Sequence, residues 1–320
     1  VEGAEIMEGA LTCIGCSRIF SVLRGIPRFL PEFLTAAEQA TVDAFGYEWT
    51  HYSQLTEADE NEFLGWIAPL TPEAFVDRVV LDAGCGKGRH IFQAAKWGAR
   101  SVVGVDLSNA VDAAYQNTRH LDHVHVVQAD IGSLPFGRPF DLAYSIGVLH
   151  HLPIPEVGFQ ALTQHVRPGG RICAWVYGKE GNLWIEKLVD PIRKNVTSRL
   201  PRAWTRFLSC FPAVILYGAL KVLYRPAVRR RWLKHVLPYS DYLCSISGYS
   251  FAENFWNVFD QLVAPTAFYH SRDEFAGWFA TVDAQEVNIE RHNGNSWRGT
   301  GIVTERKGRS IARSSSQSND

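Results

Sequence analysis

The sequence predicts an α/β fold: a doubly wound, mostly parallel sheet of seven strands with a helical insertion late in the chain. Three observations predict it. Between residues 79 and 177, short apolar runs alternate with helix-like patterns in a strand–helix rhythm. The first run ends in a glycine-rich turn, Asp82-Ala83-Gly84-Cys85-Gly86-Lys87-Gly88, which opens a helical pattern at Ile91, Ala94 and Ala95. After a long helical stretch, the rhythm resumes near Ser271 with one helix and two further strand-like runs.

Taken in order, residues 1–34 hold Cys13-Ile14-Gly15-Cys16 between two short strands, the pattern of a zinc knuckle. A tetrahedral structural site needs four ligands, so Cys13 and Cys16 bind zinc only if a second ligand pair is supplied. Residues 35–76 read as a helical cap with an aromatic knot at Phe45-Gly46-Tyr47-Glu48-Trp49. Strands are expected near 79–82, 102–106, 124–128, 141–145 and 171–177, which places a sheet domain at 77–179 and 263–306. Residues 180–262 break the rhythm and read as a helical lid over the substrate, with Pro191, Pro201, Pro212, Pro226 and Pro238 marking helix ends. Ser271-Arg272-Asp273-Glu274 is a capping box for a helix to about Thr281. Strands 285–291 and 299–304 follow, joined by Asn293-Gly294-Asn295, and residues 307–320 are Ser- and Arg-rich, the composition of a disordered tail.

Composition narrows the class. The chain has 320 residues, 46% of them hydrophobic, and a formal net charge of −1. That balance speaks against a nucleic-acid partner, which calls for a basic excess. Six cysteines make no disulfide framework in a chain of this size, and no secretory signal is evident, so a cytoplasmic protein is expected. Residue 1 is Val and the single Met is Met7, so a trimmed natural N-terminus is expected. Phe207 to Tyr224 is mostly apolar and is followed by Arg225, Arg229, Arg230, Arg231 and Lys234. It reads first as a buried lid helix with a solvated basic end. The alternative is peripheral membrane contact through 207–234; the segment is too interrupted to span a bilayer.

The strand ends supply the chemistry. Asp106 closes the second strand, where a carboxylate can accept two hydrogen bonds from a ribose diol. Asp130-Ile131 closes the third and can read an adenine edge through an acidic side chain and a backbone N–H. Phe140-Asp141-Leu142-Ala143-Tyr144-Ser145 leads into Gly147-Val148-Leu149-His150-His151, and Arg167-Pro168-Gly169-Gly170 turns into the fifth strand.

Together, Asp-x-Gly-x-Gly-x-Gly, the acidic end of strand two, Ala129-Asp130 with Leu134-Pro135-Phe136, Leu149-His150-His151 and Pro168-Gly169-Gly170 resemble the class I S-adenosylmethionine-dependent methyltransferases. The wording is nearest to the type 11 subgroup that includes the quinone-biosynthesis enzymes. A nicotinamide-binding turn is usually Gly-x-Gly-x-x-Gly and lacks the last elements. The resemblance implies a Rossmann-like sheet with S-adenosyl-L-methionine held by Asp82, Gly84, Cys85, Gly86, Gly88, Asp106, Leu107, Asp130, Ile131, Ser145 and Ile146. Cys-x-x-Cys followed by Gly25-Ile26-Pro27-Arg28 is similar to half of the small zinc ribbons that accompany methyltransferases; such ribbons normally bring a second Cys-x-x-Cys.

Tyr47 and Trp49 are candidates to close over the cofactor, and Trp175, Tyr177, Asn295 and Trp297, with Ser296, to line the substrate side. As aromatics, several of these read equally as core. His150 or His151 could take a proton from the acceptor, or could cap backbone groups. The expected reaction is in-line methyl transfer to an O, N or C nucleophile of a small, aromatic or lipid-like molecule. RNA or protein is the alternative acceptor, and a non-catalytic cofactor-binding scaffold the third reading.

Overall fold

A computed structural model describes residues 5–305 apart from Arg138 and Pro265; the tail expected at 307–320 lies outside the described residues. Three N-terminal strands, β1 (Glu8–Thr12), β2 (Ile19–Leu23) and β3 (Ile26–Phe29), precede helices α1 (Ala36–His51) and α2 (Ala58–Ile67). The alternating part runs β4 (Val79–Ala83), α3 (Arg89–Lys96), β5 (Ser101–Asp106), α4 (Ala110–Thr118), β6 (Val124–Ala129), β7 (Phe140–Ile146), α5 (Pro155–Thr163) and β8 (Val166–Tyr177). Helices α6 (Asp190–Asn195), α7 (Arg202–Ala219), α8 (Arg225–Arg229), α9 (Arg231–Val236), α10 (Ser240–Ser245) and α11 (Phe251–Val263) form the insertion. The chain ends in α12 (Arg272–Thr281), β9 (Gln285–His292) and β10 (Ser296–Ile302).

One sheet of ten strands results, in the order β1-β2-β3-β6-β5-β4-β7-β8-β10-β9. The sequence predicts seven, β4 to β10. The other three are the N-terminal meander, whose last strand pairs in parallel with β6 through Arg28↔Gln128 and Phe29↔Ala129. Its apolar face, Val22 and Ile26, is buried, and the buried Arg28 guanidinium bonds Gln128 and the Asp112 carboxylate. Composition shows a ribbon with Cys-x-x-Cys; it does not show which sheet edge the ribbon will cover.

Strand alternation sorts the core into two layers. Val80, Leu142, Tyr144 and Cys173 face α2 and α3, with Phe63, Ile67 and Trp97. Their neighbours Leu81, Ala143, Ile172, Ala174 and Val176 face α5 and α12, with Phe159, Phe275, Trp278 and Phe279. Phe63 ties α2 to the sheet, its ring 4.6 Å from His90, 5.0 Å from Tyr144 and 5.2 Å from Trp97. Phe63→Ala is expected to cost about 3–5 kcal/mol of stability, read as a lowered midpoint in chemical denaturation. Because α2 also presents Asp59, Glu62 and Trp66 to the cavity described below, the same variant should weaken ligand binding.

The insertion departs from expectation in two ways. A π-helical turn at Leu220–Tyr224 carries α7 into α8, making one helix of 28 residues, Arg202–Arg229, so Pro212 and Pro226 both lie inside a helix rather than at helix ends. This helix is not the buried lid helix that its composition suggests. Its inner face is the small one, with Thr205, Ser209 and Ala213 against α11, while Trp204, Phe207, Phe211 and Ile215 point outward.

Candidate functional site

The site lies where the sheet order reverses about β4, outside the carboxyl ends of the parallel strands. Gly84 and Cys85 donate their N–H groups to Val105 O at 2.7 and 2.9 Å, folding the turn over the end of β5. Gly84 has φ +94°, and a Cβ there would sit 2.2 Å from Val148, so only glycine fits. Gly86 N–H donates to Asp106 Oδ2 at 2.9 Å, and Ser108 N and Oγ donate to Asp106 Oδ1 at 2.8 and 2.7 Å. The carboxylate that ends β5 is thereby fixed against the glycine turn, and burial raises its pKa above the usual carboxylate value.

These strand ends open into a cavity of about 1700 Å³, walled by Gly84, Gly86, Asp106, Leu107, Asp130, Ile131, Ile146 and Trp49 on one side. Its other walls are Trp66 of α2, Trp175 and Tyr177 of β8, and Tyr242 and Trp256 of the insertion. Asp130 Oδ1 accepts from Gly132 N–H at 3.0 Å in an Asx-type turn. Asn295 also reaches the cavity, its amide donating to Tyr239 Oη at 3.0 Å.

Several predicted residues lie elsewhere, each for a geometric reason. On α1 and at its C-cap, Phe45, Glu48, Trp49 and Tyr52 share the cavity face at helical spacing; Tyr47 falls off it and stacks on His51 with centroids 3.9 Å apart. Trp297 is in register with Val176 and so faces the α12 layer, its indole N–H donating to Glu180 at 3.0 Å. Cys85 points into the core and burial pushes its thiol pKa well up. Gly88 precedes α3 as its N-cap and lets the turn close on Ala114. Asp82 is fully buried behind the turn, and Ser145 ties β7 to it by donating to Ala83 O at 2.8 Å. His150 is likewise fully buried, 4.0 Å from the Tyr177 ring and off the cavity wall, where burial drives its pKa well down. His151 does line the cavity; its Nδ1–H donates to Thr266 O at 2.6 Å, and burial lowers its pKa to about 4. Cys13 and Cys16 are free thiols, and no group of three or more His, Cys, Asp or Glu side chains that could hold a metal occurs among the described residues.

The family described as "Methyltransferase domain" matches residues 80–170, the stretch that builds the glycine turn, Asp106, Asp130 and the end of β7. Residues 80–170 carry a methyltransferase domain. Two curated relatives are the tRNA U34 carboxymethyltransferases of Pseudoalteromonas translucida and Pseudoalteromonas atlantica. They are 35% and 33% identical over 113 residues, which is 34% of this chain and 35% of each relative. The chain thus spans about a third of the length of these relatives. A solved S-adenosylmethionine-dependent methyltransferase from Mesorhizobium loti is 28% identical over 35% of this chain and 50% of that one, with a TM-score of 0.32.

The residues of this methyltransferase domain fit its cofactor. Asp106 faces the cavity with acceptor capacity beyond its hydrogen bonds to Gly86 and Ser108, as a ribose diol requires. Asp130 keeps Oδ2 free beside Ile131. Behind the glycines, both Asp82 carboxylate oxygens lack a hydrogen-bond partner, and burial, then the Asp106 charge, raises its pKa well above normal. A cationic ligand over the turn would relieve that strain.

Sequence reading missed the polar half of the cavity. Arg89, the first residue of α3, lies between the rings of Trp49 and Trp66, 5.5 and 4.9 Å from their centroids, and pairs with Glu62 at 3.2 Å. Lys87 is buried and does not line the cavity: it donates to Gln54 O of the α1–α2 connection at 2.7 Å and sits 3.7 Å from the Tyr52 ring centroid, and burial lowers its pKa to about 8. The cavity also brings together two carboxyls, Glu48 from α1 and Asp260 from α11. Tyr177 Oη donates to Asp260 Oδ2 at 3.3 Å and accepts from Gln261 at 3.0 Å. Burial raises the Asp260 pKa to about 6, and burial together with the Asp260 charge pushes Glu48 well above the usual carboxylate range.

Proposed function

We propose that this chain methylates an O or N nucleophile of a small aromatic or amphiphilic molecule enclosed in the cavity, with Asp260 taking the proton that the nucleophile loses. The observation that carries the reading is the cavity itself. At about 1700 Å³ it exceeds the roughly 300–1,000 Å³ of an ordinary ligand pocket, enough for a donor and an acceptor together. Its acceptor side is aromatic, and there Tyr177 Oη donates to the Asp260 carboxylate.

When bound, S-adenosylmethionine supplies an electrophilic sulfonium methyl, so the protein's work is alignment and proton removal. Asp106 and Asp130 hold the nucleoside end, and the Gly84–Gly86 backbone leaves its surface open to the amino-acid end. Ile146 and Gly147 end β7 beside Trp175, which lies 5.5 Å from the Tyr177 ring that bonds Asp260. The acceptor thus lies between the end of β7 and Asp260. His151, its Nδ1 committed to Thr266 and its pKa near 4, is a much weaker base than Asp260 at neutral pH.

A second reading is favoured by a separate observation, the names of the curated relatives. On that reading the acceptor is RNA, with a base turned out of its strand into the aromatic cavity. One experiment separates the two. Purified protein is incubated with cell extract and methyl-labelled donor, and the product is fractionated into small-molecule, lipid, RNA and protein pools. Label in the small-molecule or lipid pool is expected; label confined to RNA overturns the first reading and supports the second.

A further inference from the structure

We propose that the helical insertion is an interfacial membrane-docking surface, binding anionic lipid through the outer face of the Arg202–Arg229 helix and the basic residues beside it. The observation is an inversion of the usual helix pattern. Along this helix the small and hydroxylated positions, Thr205, Ser209 and Ala213, face the protein. The large apolar ones face outward, with Trp204 61%, Phe207 56%, Phe211 61% and Ile215 74% exposed. More than half of the exposed large apolar side chains among the described residues fall between 183 and 236. A patch this large on an ordinary surface needs an occupant.

Charge says which occupant. Residues 183–236 contain twelve Lys or Arg and only two acids, Glu186 and Asp190, in a chain whose net charge is −1. Arg225, Arg229 and Arg230 lie exposed where the helix ends. Apolar side chains, with Trp and Phe among them, flanked by Lys and Arg make up the composition that settles into an anionic headgroup layer. A second copy of this chain would bring like charge against like charge on the same face. RNA would use the cations but gains little from exposed Ile, Leu and Val.

The 28-residue helix meets the length and hydropathy of a membrane span, yet its geometry keeps it on the protein. Lys221, in its last third, donates to Ser247 O and Tyr249 O at 2.9 and 2.6 Å, and Leu220, Tyr224 and Ala227 are buried against the rest of the insertion. The helix therefore lies along the interface rather than crossing it. Trp184 belongs to both surfaces, half exposed and lining the cavity, so an acceptor dissolved in lipid could reach the site from the interface. That last step rests on the small-molecule reading; the binding does not.

The test is co-sedimentation of the full chain with phosphatidylcholine vesicles and with vesicles containing phosphatidylglycerol, alongside retention of unfractionated tRNA. Binding should require phosphatidylglycerol and weaken with salt. A variant carrying W204S, F207S, F211S and I215S should lose about tenfold or more of it. A variant carrying R225Q, R229Q and R230Q should lose about fivefold for each side chain at low salt. Neither set lines the cavity, so calorimetric S-adenosylmethionine binding should be unchanged in both, which also reports folding. The proposal is overturned by absence of vesicle binding, or by vesicle binding that the apolar variant retains. It is equally overturned by tRNA binding without vesicle binding, or by a lipid-free dimer that the apolar variant dissociates.

Discussion

Asp106→Ala is expected to weaken S-adenosylmethionine binding by about a hundredfold or more, measured by titration calorimetry, with little change in the melting temperature of the ligand-free protein. A hydrogen bond to a charged group contributes roughly 1.5–3 kcal/mol, and a ribose diol makes two of them. Their loss alone spans about two to four orders of magnitude in affinity. The variant also frees Gly86 N–H and the two Ser108 donors that the carboxylate now fixes, so the floor of the cleft loses its anchor. Stability should move little, because burial already disfavours this carboxylate, and its removal relieves that cost as it removes the bonds. Asp106→Asn should not rescue binding. Gly86 N–H meets one carboxylate oxygen and Ser108 the other, so an amide must aim its NH₂ at a group that is already a donor. A dissociation constant within about threefold of wild type for Asp106→Ala would sink the cofactor assignment.

What the sequence made legible divides along physical lines. The glycine turn, Asp106 and Asp130 are local features: a turn that needs positive φ, or a strand end followed by a turn, is written in consecutive residues. The capping box at Ser271 was readable for the same reason, and the structure closes it with Ser271 accepting from Glu274 N–H. Facing is harder. Tyr47 and Trp49 are two apart on a helix and cannot share a face, and Trp175 and Trp297 are sorted to opposite layers by strand register, which depends on how β10 pairs with β8. His150 and His151 share one helical turn yet diverge, one into the core and one onto the wall. Least legible were contacts between distant segments. Glu48 and Asp260 are brought together only when α11 returns over α1, and nothing in either helix marks its carboxylate as buried. The insertion misled for a related reason. An apolar helix ordinarily turns its apolar side inward, and this one presents small residues to its partner.

The carboxyl pair leads to the second large effect. If Asp260 takes the acceptor's proton, Asp260→Asn should lower the rate of methyl transfer by about 10²–10⁴-fold, the range of general-base contributions, with S-adenosylmethionine affinity retained. Wild-type turnover should fall as pH drops through about 6, where Asp260 protonates, and the residual activity of the variant should lack that limb. The effect on stability has the opposite sign. An acid whose pKa is raised in the folded state binds its proton more tightly there than in the unfolded chain. Its contribution to stability is therefore present at low pH and is lost as pH rises from the unfolded value near 4 through about 6. At neutral pH the wild type carries a buried charge beside Glu48 that Asn removes, so Asp260→Asn should melt at or above the wild-type temperature while losing activity. A structural role for Asp260 predicts the reverse pairing, a lowered melting temperature with the pH limb unmoved. Glu48→Gln supplies the control. It puts a neutral amide beside Asp260, whose pKa is raised by burial, and should leave turnover and its acidic limb near pH 6 in place.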